Sequence, residues 1–267
     1  MQFKVFQHIL RGFYCSLYSV TPFYNSKGIR ILCYHDIPTE FKQKFKEHLQ
    51  FIIKEFKIIS LSKAVEKLKK QNAIDEPYLV ITFDDGYRSF LHIMDYFKNY
   101  EISATLFIIA GFIGKSGYLT EDEIILLNSQ GFEIGSHTLS HPNLAQCSYE
   151  RIWTELTESK QILSNLLGEE IDLLALPYGG KGAFTKDVLL TALKAGYKVV
   201  LTTYRGWNLP SNVGMVNNRL LILRRDPIEV HWNIKVLKGI LKGAMDFRYH
   251  QWPKDICNQG IEDKIDF

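Results

Sequence analysis

The sequence lacks several features that would place the protein in other classes. Its four cysteines include no Cys-x-x-Cys pair, which argues against a cysteine zinc site or a disulfide framework. There is no run of about twenty apolar residues, so a membrane-spanning helix is not expected. The 32 basic residues are nearly balanced by 29 acidic ones, and nothing in this balance suggests a nucleic-acid-binding protein. No internal repeat or low-complexity segment is present.

The N-terminal 24 residues are aromatic and mildly basic, but they do not read as a signal peptide. His8 and Arg11 interrupt the apolar stretch that such a peptide requires, and no small-residue cleavage site follows. We therefore expect a cytoplasmic protein, with attachment to a membrane surface and export left open as alternatives.

Apolar, strand-like segments alternate with segments of helical spacing along the chain. The strand-like segments are 29–34, 78–83, 103–110, 132–135, 171–176 and 197–203. Ser148 is expected to cap a long helix that ends at Gly168 and turns Tyr149 and Trp153 inward. The 267 residues, 46% of them hydrophobic, can form one sizeable core. This alternation predicts a parallel α/β fold.

Two motifs carry the chemistry. The run Thr-Phe-Asp-Asp-Gly at 82–86 ends an apolar segment with two adjacent carboxylates, whose mutual repulsion a nearby cation would relieve. His137 and His141 lie four residues apart in a turn closed by Pro142. One Asp and two His make a facial set of ligands for a divalent metal, while the second Asp remains available as a base. The motifs follow strands, and α/β barrels place their active sites at the carboxyl ends of strands.

These two motifs resemble the first two signature motifs of the NodB-type polysaccharide deacetylases. The run Leu-Pro-Tyr-Gly at 176–179 resembles their third motif, and Tyr-His-Asp-Ile at 34–37 resembles a segment that precedes the first. The resemblance covers about residues 29–226 and implies a single-domain, distorted (β/α) barrel of about seven parallel strands. It also implies hydrolysis of N-acetyl groups on the amino sugars of a polysaccharide or lipid-linked saccharide. Residues 1–28 then form an aromatic N-terminal segment, and 227–267 a basic amphipathic helix and tail.

The resemblance implies a role for each residue of the motifs. Asp84 would be the general base, and the backbone N–H of Tyr178, beside Pro177 in the substrate site, would help to hold the oxyanion. The implied metal ligands are Asp85, His137 and His141. Zinc is the metal expected for these ligands, with cobalt or nickel as alternatives.

The chain departs from the family pattern at two places. Ala175 stands where the third motif often carries an arginine that orients the base, and residues 221–227 lack the histidine of the late motif that supplies the acid. Because some relatives are permuted, His35 at the end of the first strand is the candidate acid, with His231 as a weaker one and a packing role for His35 as the alternative. These departures leave open a catalytically inactive carbohydrate-binding relative. A deformylase or other amidase acting on a lipid-linked envelope sugar is another alternative.

Two further features bear on the carbohydrate partner and on the membrane. Trp207 follows a strand and is expected either to stack on a sugar ring or to pack in the core, and Arg205 could meet a phosphate or carboxylate of the substrate. The tail from Glu229 to His250 carries an apolar stripe opposite several lysines. The stripe fits a helix that covers the barrel or one that lies on an anionic membrane. The oligomeric state is left open.

Overall fold

The fold is described from a computed structural model, which covers residues 27–70, 74 and 76–246. The aromatic segment up to residue 26 and the tail from residue 247 onwards therefore lie outside the described residues. The strands are β1 (Gly28–Tyr34), β2 (Lys57–Ile58), β3 (Pro77–Phe83), β4 (Thr105–Ile108), β5 (Glu133–Ser136), β6 (Leu173–Ala175), β7 (Val199–Leu201), β8 (Gly214–Val216), β9 (Leu220–Leu223) and β10 (Asp226–Pro227).

The helices lie between these strands and after the last of them. They are α1 (Lys42–Glu55), α2 (Leu61–Lys69), α3 (Met94–Asn99), α4 (Glu121–Ser129), α5 (Tyr149–Leu167), α6 (Lys186–Lys194) and α7 (Ile234–Leu241). Short 3-10 turns at Thr39–Phe41, Arg88–His92, Ala110–Phe112 and Leu144–Gln146 lead out of several strands.

The strands form one sheet in the order β10-β1-β3-β4-β5-β6-β7-β9-β8, with β2 beside β3. All of its pairs are parallel except β8 with β9. Leaving aside the two-residue strands and antiparallel β8, the parallel part comprises β1, β3, β4, β5, β6, β7 and β9. The α/β fold with about seven parallel strands, predicted from the sequence, is confirmed.

The two ends of the row of parallel strands are joined directly by a short link in the chain. Only Arg224 and Arg225 separate β9, which pairs with β7, from β10, which pairs with β1. The fully buried Asn208 bridges the seam: its Nδ2 donates to the carbonyl oxygens of Ile29 (3.2 Å) and Arg224 (3.0 Å), and its Oδ1 accepts from Arg224 N (2.9 Å). The sheet therefore curves into a distorted, incompletely closed barrel. Its two sides meet through the Asn208 side chain and through two backbone hydrogen bonds between Ile29 and Asn208, not through a continuous ladder.

Side chains alternate across the curved sheet and divide the core into two layers. The layer inside the barrel contains Ile29, Ile31, Val80, Phe107, Ala175, Leu201, Leu221 and Leu223. A larger layer lies between the strands and the surrounding helices, and includes Leu32, Leu79, Ile81, Leu106, Leu174 and Ile222. Asp84 and His35 continue the inner rows of β3 and β1 just beyond the ends of these strands.

The longest helix, α5, begins and ends as predicted. Ser148 Oγ accepts a hydrogen bond from Arg151 N, and Gly168 closes the helix with a φ of 69°. The expected inward orientation of Tyr149 and Trp153 is wrong, because these side chains are 51% and 40% exposed. The buried face of α5 is centred near Ile152, and a helix turns about 100° per residue, which carries Trp153 to the flank.

The apolar stripe of the C-terminal segment packs onto the core. Leu237, Ile240 and Leu241 of α7 are fully buried, and Met245 is nearly so. The His48 side chain of α1 contacts the segment that leads into this helix, through a 2.7 Å hydrogen bond between its Nε2 and the Trp232 carbonyl oxygen. The helix covers the barrel, which is one of the two alternatives predicted, and its apolar face is buried against the core. Within the described part of the chain, no helix is both long and apolar enough to cross a bilayer.

Candidate metal centre and active site

The side chains at the mouth of the barrel continue the inward-facing rows of its strands. On β3, Val80 points into the barrel, and the two-residue alternation of a strand carries this direction on to Asp84. On β1, Ile31 points inward, and the same alternation leads to His35. Both rows end at the carboxyl ends of the parallel strands, where barrels bear their functional residues.

Asp85, His137 and His141 form a group of ligands that could hold a metal ion, with their nearest nitrogen and oxygen atoms all within 4.8 Å of one another. Asp85 Oδ1 lies 3.4 Å from His137 Nε2 and 3.6 Å from His141 Nε2. Ligands about 2.1 Å from a tetrahedral ion are separated by about 3.4 Å, which matches these distances. Asp85 Oδ1 is buried and has no hydrogen-bond partner among the described residues, as expected of an atom that serves a cation. The residues present therefore fit a divalent metal.

The surroundings of both imidazoles bear on metal binding. His137 Nδ1 lies 2.8 Å from the Ala175 carbonyl oxygen, which can only accept, so Nδ1 donates a proton there and Nε2 is the ring nitrogen that faces Asp85. Burial and the neighbouring His137 lower the pKa of His141, which favours its neutral form. The turn that presents His141 is fastened by a 3.0 Å hydrogen bond from its own N–H to Thr138 Oγ1.

Asp84 lies beside the ligand group, with its Oδ2 3.8 Å from His137 Nε2, and is held by a buried arginine. Arg225 Nη1 and Nη2 donate to Asp84 Oδ1 and Oδ2 at 2.6 and 2.7 Å, and the Cys33 thiol lies 3.2 Å from Oδ2. Burial alone would raise the pKa of Asp84, but the charge and hydrogen bonds of Arg225, together with the neighbouring His137, outweigh burial and keep this pKa well below its usual value. Burial raises the pKa of the Cys33 thiol, so that it remains a neutral donor.

Sequence reasoning did not find Arg225. Leu221 and Leu223 of β9 point into the barrel, and the same alternation directs Arg225 inward, where it is fully buried with its guanidinium 5.3 Å from the Phe107 ring centre. The sequence does contain a signal for Arg225, because a charged residue that continues the inward-facing row of a strand just beyond its end points at the mouth of the barrel.

His35 and Tyr178 lie on two sides of the cluster. His35 is exposed, and one of its ring nitrogens lies within 4.8 Å of an Asp84 oxygen and of Cys33 Sγ. Tyr178 follows the buried Pro177, has a φ of 63°, and places its ring centre 5.0 Å from that of His141. The Tyr178 N–H has no acceptor among the residues that the structure describes.

The comparisons with known proteins agree with this geometry. The family model for polysaccharide deacetylases matches residues 71–200. A peptidoglycan-N-acetylglucosamine deacetylase of Bacillus cereus is 30% identical over 153 residues, which are 54% of this chain and 67% of that protein. The chain belongs to the polysaccharide deacetylase family. The enzyme class predicted from the motifs, a hydrolase of this family, is thereby confirmed.

Other deacetylase relatives match more of the chain at lower identity. A chitooligosaccharide deacetylase of Rhizobium leguminosarum is 24% identical over 209 residues, 74% of this chain and 78% of that protein. A protein of Bacillus subtilis named putative polysaccharide deacetylase YxkH is 27% identical over 183 residues, 66% of this chain and 64% of that protein, so the chain spans slightly under two thirds of its length. The fold is shared with the Streptococcus pyogenes deacetylase PplD in complex with acetate, at a TM-score of 0.66 and 24% identity over 80% of this chain and 98% of that one.

Two residues expected at the substrate site of this deacetylase-family protein lie elsewhere. Arg205 is 6% exposed and donates to the Pro227 carbonyl at 2.7 Å, on the outer side of β1 and β10. Trp207 packs near Gly28, at the start of β1, with the Arg30 guanidinium 5.2 Å from its ring centre. After β7 the chain reverses direction and runs antiparallel beside the start of β1. Arg205 and Trp207 follow β7 in the sequence, but this reversal carries them away from the carboxyl ends of the strands.

The weaker candidate acid is also outside the cluster. The His231 ring centre lies 6.5 Å from that of Phe41 and 6.4 Å from that of Trp232, in the segment that leads to α7. His35 is therefore the candidate acid that the structure brings beside Asp84.

Proposed function

We propose that the protein hydrolyses N-acetyl groups on amino-sugar residues of a polysaccharide or lipid-linked saccharide, with a divalent metal, most simply Zn²⁺, at Asp85, His137 and His141. The observation that carries the proposal is the unpartnered Asp85 Oδ1 between two imidazoles, next to a separate carboxylate held by Arg225. The ion would supply Lewis-acid chemistry by lowering the pKa of water and polarising the amide carbonyl.

The chain's own residues account for the proton movements. Asp84, kept ionised by Arg225, accepts the proton from the attacking water as general base. The free N–H of Tyr178 points to a hydrogen bond with the oxyanion of the tetrahedral intermediate. The C–N bond then breaks as His35 gives a proton to the nitrogen of the departing amine, which yields acetate and the free amino sugar.

The domain limits belong to the same proposal. We infer that residues 29–226 carry the deacetylase domain and that 227–246 cover it. Support comes from the parallel pairing of β10 with β1 and from the packing of α7 onto the core.

The experiment measures acetate release from chitin oligomers and from an N-acetylhexosamine glycolipid, before and after removal and return of Zn²⁺. Asp84→Asn is expected to lower kcat by about 10²- to 10⁴-fold, the usual contribution of a general base, while the bound metal remains. His137→Ala is expected to lose both the metal and the activity. Asp122→Asn, the same change at an exposed position of α4, is the matched control and should leave turnover unchanged.

The outcomes separate the alternatives. Formate release from N-formyl sugars in place of acetate release would replace the deacetylase by a deformylase. Metal-independent oligosaccharide binding without release of either acid would indicate an inactive binding protein. Full activity of Asp84→Asn would refute the base assignment, and unchanged metal content in His137→Ala would refute the ligand set.

A further inference from the structure

A buried carboxylate outside the ligand group contacts the turn that carries His141. Glu155 of α5 is 0% exposed, yet it reaches the turn with both oxygens. Its Oε2 accepts the backbone N–H groups of Leu139 (2.9 Å) and Ser140 (2.8 Å), and its Oε1 accepts the Ser140 hydroxyl (2.6 Å). Its one charged partner among the described residues is Arg151, whose Nη2 lies 2.6 Å from Oε1.

The turn needs this support because its backbone is unfavourable for the residues it contains. Thr138 and His141 have φ values of 68° and 62°, in the left-handed region that side chains with a Cβ rarely occupy. The Glu155 carboxylate accepts hydrogen bonds from the N–H groups of Leu139 and Ser140, which have no backbone acceptor within the turn. A buried carboxylate is costly unless hydrogen-bonded, and all four of its contacts are with this turn or with the arginine beside it.

The geometry points to Glu155 as the positioning residue of the metal centre: through Leu139 and Ser140 it holds the turn in the shape that aims His141 Nε2 at Asp85 Oδ1. Glu155 does not touch the ion or the reacting atoms. Its effect reaches the centre through the backbone of the two residues that precede His141. This inference rests on the metal centre of the proposed function and adds a residue on which the affinity of that centre depends.

The test measures the Zn²⁺ dissociation constant of each purified protein by competition with a chromophoric chelator, together with the visible spectrum of the Co²⁺ form. Because an outer residue that orients a ligand contributes about 10- to 100-fold in affinity, Glu155→Gln should raise the dissociation constant at least tenfold and change the Co²⁺ bands. Glu158→Gln, the same change at an exposed position of the same helix, should alter neither.

A destabilising control variant distinguishes an effect of Glu155 on the metal centre from a general effect on stability. Leu163→Ala removes a fully buried side chain of α5 far along the helix from the turn, and it should lower the melting temperature while leaving Zn²⁺ affinity unchanged. Ser140→Ala, at an exposed position, removes one bond to Glu155 and should weaken Zn²⁺ binding less than Glu155→Gln does.

An unchanged dissociation constant in Glu155→Gln overturns the inference, as does an equal weakening in Leu163→Ala. If Glu155→Gln does not fold, Ser140→Ala decides, and parental affinity there overturns it. The proposed function fails separately: a parent protein that binds Zn²⁺ but releases no acid contradicts that function and leaves the role of Glu155 standing.

Discussion

Replacing Arg225 by methionine removes the partner of Asp84 at nearly constant side-chain volume. Both groups are buried, and two hydrogen bonds of 2.6 and 2.7 Å join them. Breaking a buried ion pair by removing one partner costs about 3–5 kcal/mol, because the other charge stays behind unpaired. Since whole domains are stable by about 5–15 kcal/mol, this loss is a large part of the total. Arg225→Lys keeps the charge but loses the two-pronged geometry, and should cost about 1.5–3 kcal/mol, the worth of one hydrogen bond to a charged group.

The assays are urea unfolding for stability and acetate release for turnover. Without its guanidinium clamp Asp84 is no longer fixed, and a displacement of about 1 Å at a reacting group can lower the rate about 100-fold. Ala175→Arg in an Arg225→Ala background should restore part of the rate, since it returns an arginine from the position that is common in the family.

The reasoning is refuted if Arg225→Met unfolds within about 1 kcal/mol of the parent and retains its turnover. Lower stability with full turnover would leave Arg225 as a structural residue only and would contradict its role in holding the base. Zn²⁺ content should be unaffected in every variant, because Arg225 contacts none of the three ligands through a hydrogen bond that the described residues show.

Three further predictions concern acid, pH and the seam. His35→Asn should lower kcat by about 10²- to 10⁴-fold at unchanged Zn²⁺ content, whereas His92→Asn, at another exposed histidine, should not; equal rates would remove His35 as the acid. Burial lowers the pKa of His48 in the folded protein, so the unfolded chain takes up the proton first and the free energy of unfolding falls as the pH drops below about 6.5. Urea titrations of His48→Gln should show a smaller fall in this free energy over the same pH range. An identical pH dependence in the parent and the variant would contradict the role of His48. Asn208→Ala leaves buried groups of Ile29 and Arg224 without that partner and should cost about 1–3 kcal/mol in urea unfolding; a loss near zero would show that the seam does not need the bridge.

The sequence predicted the parts of the fold that depend on local pattern. Apolar segments of strand length, the cap at Ser148 and the left-handed Gly168 are local features, and each is found in the structure. The ligand group was predictable for a related reason: each member follows a strand, and parallel strands bring their carboxyl ends to one edge. The same rule failed for Trp207, because the chain after β7 reverses direction within a few residues and returns along β1.

What could not be predicted depends on contacts between distant segments. Arg225 meets Asp84 across 141 positions of the chain, and only the curvature of the whole sheet brings the ends of β3 and β9 close together, because β1 and β10 stand between them. Glu155 could not be predicted, because a charged residue in an amphipathic helix is typical of a solvent-exposed face, whereas here the turn before the helix covers it fully. Both residues contact the sequence motifs in the folded protein, although neither is adjacent to a motif along the chain.

The position of Arg225 in the two-residue link between β9 and β10 also bears on how the protein is made. The three proposed ligands and Asp84 leave the ribosome well before residue 225, so a nascent chain can carry the proposed cation-binding set while Asp84 still lacks its clamp. In the proposed mechanism, the base is fixed only when β10 docks beside β1 and Arg225 reaches Asp84. Of these side chains, the clamp is thus the last to be synthesised.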